Sequence, residues 1–133
     1  MGLTVLDASI VIAVLDSEDA HHTTARAGLA SRLEALDTFA VPVSAYAETL
    51  VGAFRKGDEA VATVESFLAA LPARIEPATP AIGHYAARLR AQHGGRLPLP
   101  DAFVVATAIE LRADRVLTTD RRWPEVGVRI EVL

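Results

Sequence analysis

Leu3-Thr4-Val5-Leu6-Asp7-Ala8-Ser9 opens the chain with a short apolar run that stops on a carboxylate. Continuous apolar character over so few residues, without polar alternation, reads as a strand covered on both faces, here Leu3 to Asp7. Four more segments read as strands: Phe39 to Pro42, Arg74 to Glu76, Arg115 to Thr118 and Val128 to Val132. Helical patterns separate most of them. Ser9 to Leu15 forms a short helix, and His21 to Leu36 carries Ala25, Leu29, Leu33 and Leu36 at helical spacing. Ser44 is read as the N-cap of a helix whose apolar face is Tyr46, Leu50 and Phe54. Gly57 breaks that helix, and Asp58 is read as the cap of the next, with Val61, Val64, Leu68 and Leu71 on one face. Thr79-Pro80 places a cap before a proline at the first helical position, and Gly94-Gly95 ends the helix they start. Pro98 and Pro100 lead into an apolar helix from Asp101 to Leu111. Strands separated by helices pair in parallel through right-handed crossovers. The expectation is therefore one α/β domain over residues 1–133, a three-layer α/β/α sandwich with a mostly parallel sheet in the order 3-2-1-4-5.

The composition suits that fold. Half of the 133 residues are hydrophobic and 5% are aromatic, which describes an aliphatic core. The absence of cysteine excludes a disulfide scaffold, thiol catalysis and cysteine-based zinc sites. No basic leader and no long apolar run is present, so the expected location is cytoplasmic, with no membrane association. The net charge of −4 argues against a nucleic-acid partner taken alone. That argument weakens if several acids share metal ions, whose charge cancels theirs.

In open α/β sheets, ligands bind beyond the carboxyl ends of the strands, where strand order reverses. That rule selects four of the 17 acids. Asp7 closes the first strand, and Asp120 follows the fourth. Glu48 lies in the first turns of the helix after the second strand, and Asp101 in the first turn of the helix before the fourth. Gathered carboxylates repel one another, and a hard divalent cation such as Mg²⁺ removes the repulsion. Paired cations roughly 3.5–4 Å apart activate a water and stabilise a leaving oxygen, which suits phosphodiester hydrolysis. Each acid alone also has a plain reading: Asp101 as a first-turn acid favoured by the helix dipole, Asp7 and Asp120 as turn formers.

The motifs Val5-Leu6-Asp7-Ala8-Ser9, Glu48, Leu99-Pro100-Asp101-Ala102 and Leu117-Thr118-Thr119-Asp120, in that order, resemble those of PIN-domain nucleases, closest to the VapC toxin type. The resemblance spans nearly the whole chain. It implies an Mg²⁺- or Mn²⁺-dependent endoribonuclease acting on single-stranded regions of RNA. Asp7, Glu48, Asp101 and Asp120 would form its catalytic and metal-binding site, and Ser9 and Thr118 would supply hydroxyls beside the acids. It further implies a homodimer and a cognate antitoxin whose C-terminal segment wraps the toxin. The acidic charge departs from many relatives and leaves the RNA-binding surface open.

Other residues have two readings each. Arg121 and Arg122 can fork a phosphate or pair with nearby acids such as Glu125. Trp123 can stack on a base or pack against the terminal strand. His21 and His22 are adjacent, point to different sides of a helix, and read as surface residues rather than metal ligands. Two other functions compete. A phospho-acceptor domain of the receiver or haloacid-dehalogenase type also ends its first strand on Asp. The dehalogenase type, however, needs a second acid where Ser9 stands, and both types use a lysine near the phosphate, whereas Lys56 ends a helix. A non-catalytic RNA- or protein-binding module is the other alternative, and the intact acid set argues against it. Neither a dinucleotide-binding nor a P-loop glycine motif occurs.

Overall fold

The computed structural model describes residues 1–133. Five strands, β1 (Leu3–Leu6), β2 (Thr38–Pro42), β3 (Ala73–Glu76), β4 (Arg115–Thr118) and β5 (Ile130–Val132), form one sheet in the order β3-β2-β1-β4-β5. Every pairing is parallel. Six α-helices connect them: α1 (Ala8–Leu15), α2 (His22–Glu34), α3 (Val43–Lys56), α4 (Asp58–Ala70), α5 (Pro80–His93) and α6 (Leu99–Glu110). The connections β1-α1-α2-β2 and β2-α3-α4-β3 step outward in one direction. The connection through α5 and α6 returns past β1 to β4. Right-handed crossovers therefore put α1 to α4 on one face of the sheet and α5 with α6 on the other. The expected α/β/α sandwich and strand order hold. The strand order reverses between β1 and β4, which are neighbours in register from Thr4–Arg115 to Leu6–Leu117.

The core sits on both sides of β1. Val5 and Leu6 of β1, Phe39, Ala40 and Val41 of β2, and Val116 and Leu117 of β4 are all at most 1% exposed. Ile10 and Val11 of α1 and Val104 and Val105 of α6 are buried to the same degree. Each such side chain stabilises the fold by about 1.5–3 kcal/mol relative to exposure.

Several local expectations need correction. The helix-starting residue is not Ser44: α3 begins at Val43 behind Pro42, so Ser44 lies inside the first turn and its Oγ makes no hydrogen bond. Asp58 is likewise the first helical residue rather than the cap, a role taken by Gly57 at φ +128°. There Asp58 acts through its charge on the helix dipole. Leu36 does not extend the α2 face. The helix stops at Glu34, and Leu36 takes a left-handed conformation, φ +62°, at 71% exposure. In α3 the buried stripe is Ala45, Thr49 and Ala53, while Phe54 is exposed. Small residues let the helix approach the sheet closely, and the larger ones flank it. Thr79 does cap α5, accepting from the Ile82 N–H at 3.3 Å, and Gly94 at φ +58° ends that helix.

At the amino-terminal edge of the sheet lies an acid that no sequence pattern marks. Asp37 is 3% exposed. It accepts a hydrogen bond from Thr4 Oγ1 at 2.8 Å and one from Arg115 Nη1 at 2.7 Å. Arg32 Nη1 stands 3.8 Å away and the chain's amino group 3.9 Å.

Candidate functional site

The opposite edge of the sheet is built from the ends of β1 and β4. The backbone N–H of Asp7 donates to Leu117 O at 3.1 Å, so the first residue past β1 is still held against β4. Asp7 then caps α1: its Oδ1 accepts from the Ala8 N–H at 2.9 Å. Its Oδ2 accepts from Ser9 Oγ at 2.7 Å and from Thr118 Oγ1 at 2.8 Å. Each hydroxyl has one proton and spends it on Asp7. Ser9 Oγ in turn accepts from the Thr119 N–H, and Thr118 Oγ1 accepts from the Asp120 N–H, both at 3.1 Å. Two hydroxyls thus tie the start of α1 to the loop after β4 and fix Asp7 relative to Asp120.

Three other acids surround Asp7. Glu48 reaches the edge from the second turn of α3. Asp101 comes from the first turn of α6, behind Pro98 and Pro100, whose fixed φ angles suit the helix start. Asp120 follows β4. Asp7, Glu48, Asp101 and Asp120 line one open cleft of about 610 Å³, together with Ser9, Arg121 and Arg122. Three of these carboxyls are held above their ordinary range. Burial does this first for Asp7, against the hydrogen bonds from Ser9, Thr118 and Ala8. Burial, then the Asp7 charge, raises Glu48. Burial, followed by the charges of Asp7, Asp120 and Glu48, pushes Asp101 up to about 6. Asp120 is the exception. Its hydrogen bond from the Arg122 side chain, at 2.9 Å to Oδ2, holds it below the usual carboxylate range.

The chemistry of this donor set fits a hard divalent cation: four carboxylates, neighbouring hydroxyls, and no imidazole or sulfur in the cleft. The raised acids mark negative charge that the protein itself leaves uncompensated. No three carboxylates converge closely enough to form a finished cage. A site that also binds substrate phosphates uses one or two carboxylates per ion and leaves the remaining positions to water and phosphate oxygens.

Of the remaining candidates, Arg121 and Arg122 are exposed on the cleft wall. His21 and His22 lie outside it. They are half-buried rather than fully at the surface, with His22 Nδ1 2.7 Å from Ala13 O. Trp123 packs among Val128 and Ile130 between the two parts of the core. Its indole Nε1 is buried and lacks a well-formed hydrogen bond, yet the N–H is near enough to Asp101 and Asp120 to oppose the rise of one and deepen the fall of the other. Neither of the two roles the sequence offers for Trp123, stacking or packing, involves this N–H. A lone tryptophan three residues after a strand-end acid was the signal that could have found it.

The family model described as PIN domain matches residues 4–129. No curated protein matches the chain. Several solved structures share the fold. VapC20 of Mycobacterium tuberculosis, described as a sarcin–ricin loop cleaving toxin, is 21% identical with a TM-score of 0.72, over 85% of this chain and 86% of that one. VapBC of Salmonella typhimurium, bound to DNA, is 20% identical with a TM-score of 0.73, over 98% of each chain. VapBC-5 of M. tuberculosis, a toxin–antitoxin system, is 25% identical with a TM-score of 0.64, over 100% of this chain and 98% of the other.

Proposed function

The chain belongs to the PIN-domain family, and from that premise we propose that it is a divalent-cation-dependent endoribonuclease, the toxin of a toxin–antitoxin pair. The observation that carries the reading is the set of four carboxylates on one cleft at the strand-order reversal, three of them raised by burial and mutual repulsion. RNA as substrate rests on the family and on the toxins that share the fold.

Asp7 and Asp101 are the principal cation ligands, with Asp120 and Glu48 completing the set directly or through water. When bound, Mg²⁺ or Mn²⁺ supplies an activated water and charge neutralisation at the scissile phosphate. Ser9 and Thr118 hold Asp7 Oδ2 in place by donating to it, so that carboxylate does not have to reorganise. Glu48, whose pKa is raised, would orient the attacking water and accept its proton when it is not itself on the cation. The low pKa of Asp120 suits an anionic ligand, and the raised pKa of Asp101, about 6, marks a carboxylate that is ionised at neutral pH but poorly compensated until a cation arrives.

The antitoxin would seat on an apolar groove. A groove of about 300 Å³ runs along α1, α3 and α4, lined by Ile12, Leu15, Ala53 and Val64, and Ile12 also borders the acidic cleft. An apolar segment seated there would end beside the acids.

The test is cleavage of single-stranded RNA by the purified protein. Wild type with Mg²⁺ or Mn²⁺ cuts, chelation abolishes cutting, and Asp7→Asn lowers the rate by at least about 10³-fold while the protein stays folded. Undiminished cutting by Asp7→Asn, or by wild type in excess chelator, overturns the proposal. A stable acetyl-phosphate adduct on Asp7 would favour the phospho-acceptor reading instead.

A further inference from the structure

Both oxygens of the Asp120 carboxylate are taken by one neighbour. Arg122 donates Nε to Oδ1 at 3.0 Å and Nη2 to Oδ2 at 2.9 Å, a bidentate fork, and its backbone N–H adds a bond to Oδ1 at 2.8 Å. A cation cannot use Asp120 fully while that fork is in place. Yet the Arg122 side chain is 85% exposed, and an exposed ion pair is held weakly. Its guanidinium sits on the wall of the same cleft as Asp7, Glu48 and Asp101. The fork that matches a carboxylate also matches a phosphate. Arg121, just before it in the chain, carries the same charge on the same cleft without bonding to Asp120.

We propose that Arg122 is a ligand for a phosphate of the incoming strand, parked on Asp120 in the free protein, so that strand binding releases Asp120 to the cation. The exchange balances charge: the guanidinium moves from a carboxylate to a phosphodiester anion, and the freed carboxylate meets a divalent cation. Nucleic acid and cation then favour each other's binding, and by linkage each raises the other's affinity by the same factor. The Arg122 backbone bond to Oδ1 does not depend on the side chain, so Asp120 keeps its orientation after the fork opens. This inference rests on the nuclease reading above but makes a separate claim about one residue.

Binding experiments without turnover test it. Mn²⁺ is titrated calorimetrically into protein free of RNA, and a short single-stranded RNA is titrated into protein in excess chelator. Arg122→Ala binds Mn²⁺ about two- to fivefold more tightly than wild type. It binds the RNA about two- to fivefold more weakly, with a salt dependence shallower by about one phosphate contact. Arg122→Lys keeps the charge but loses the fork, so both its Mn²⁺ affinity and its RNA affinity fall between those of wild type and Arg122→Ala. Arg121→Ala removes the same charge and leaves Mn²⁺ affinity nearly unchanged. The inference fails if Arg122→Ala does not tighten Mn²⁺ binding, if Arg121→Ala tightens it equally, or if RNA affinity is unaffected. Failure of wild type to take up any Mn²⁺ would instead overturn the cation reading of the site, and this inference with it.

Discussion

At the amino-terminal end of β1, Thr4 shares a buried site with Asp37. Three residues on, about 10 Å along the strand, Asp7 shares another with Asp101, Glu48 and Asp120. The first site is closed. Arg115 reaches Asp37 at 2.7 Å, Thr4 donates its hydroxyl, and Arg32 and the chain's amino group stand within 4 Å of the carboxylate. The second gathers more acid and supplies less base. Its only fork comes from the exposed Arg122, and only Asp120 receives it. The same chain, with 12 arginines to place, can neutralise a buried carboxylate well. That it leaves Asp7, Glu48 and Asp101 without a salt-bridge partner is what supports the proposal that the missing charge is supplied by a bound cation.

The sharpest way to break this contrast is to remove the acid from each end. Asp37→Ala takes from the largely buried Arg115 its closer carboxylate, leaving only Glu131 at 3.7 Å, and costs about 3 kcal/mol, read as a large fall in denaturation midpoint. Asp101→Asn, at neutral pH without divalent cation, leaves the midpoint unchanged or raises it, because it removes one charge from a self-repelling set. A loss of stability in Asp101→Asn comparable to that in Asp37→Ala would erase the distinction.

The two ends also differed in how legible they were. Apolar runs mark β1 and β2, shorter and partly charged segments mark β3, β4 and β5, and their alternation with helices gives the order β3-β2-β1-β4-β5, so the edge where Asp7, Glu48, Asp101 and Asp120 meet could be anticipated from strand ends and helix starts. Asp37 could not. Its partners Thr4 and Arg115 lie 33 and 78 residues away, and nothing local distinguishes it from any other acid before a strand. Periodicity also finds a helix without fixing its phase. Tyr46, Leu50 and Phe54 repeat as well as Ala45, Thr49 and Ala53 do, and only close packing on the sheet selects the smaller set. The fork from Arg122 to Asp120 spans two residues, and the sequence offers Arg121 as an equal candidate.

The pH dependence is a smaller effect. A carboxyl whose folded pKa is raised adds stability that is fully present below its unfolded pKa and lost as pH rises through the folded one. For Asp101 that window runs from about pH 4 to just above its folded value of about 6. Asp7 and Glu48 act in the same direction. Asp120, whose pKa is depressed, acts in the opposite one, losing its contribution as pH falls. Cation-free wild type should therefore lose stability relative to Asp101→Asn across that window as pH rises. A difference that is flat or grows the other way contradicts the assignment. The smallest expected signal comes from Trp123, the chain's only tryptophan. Its single indole N–H resonance should shift when Mg²⁺ is added and when Asp101 is replaced by Asn. A resonance that ignores both would remove the indole from the site's surroundings.

The central claim is that one end of the sheet lacks cationic charge which a divalent ion supplies, and thermal unfolding in rising Mg²⁺ tests it most directly. A ligand that binds only the folded state raises the midpoint with its concentration. The account predicts such a rise for wild type and for Asp37→Asn, and its loss in Asp7→Asn and Asp101→Asn. A wild-type midpoint indifferent to Mg²⁺ and Mn²⁺, or a rise that survives both substitutions at the acidic cleft, would contradict it.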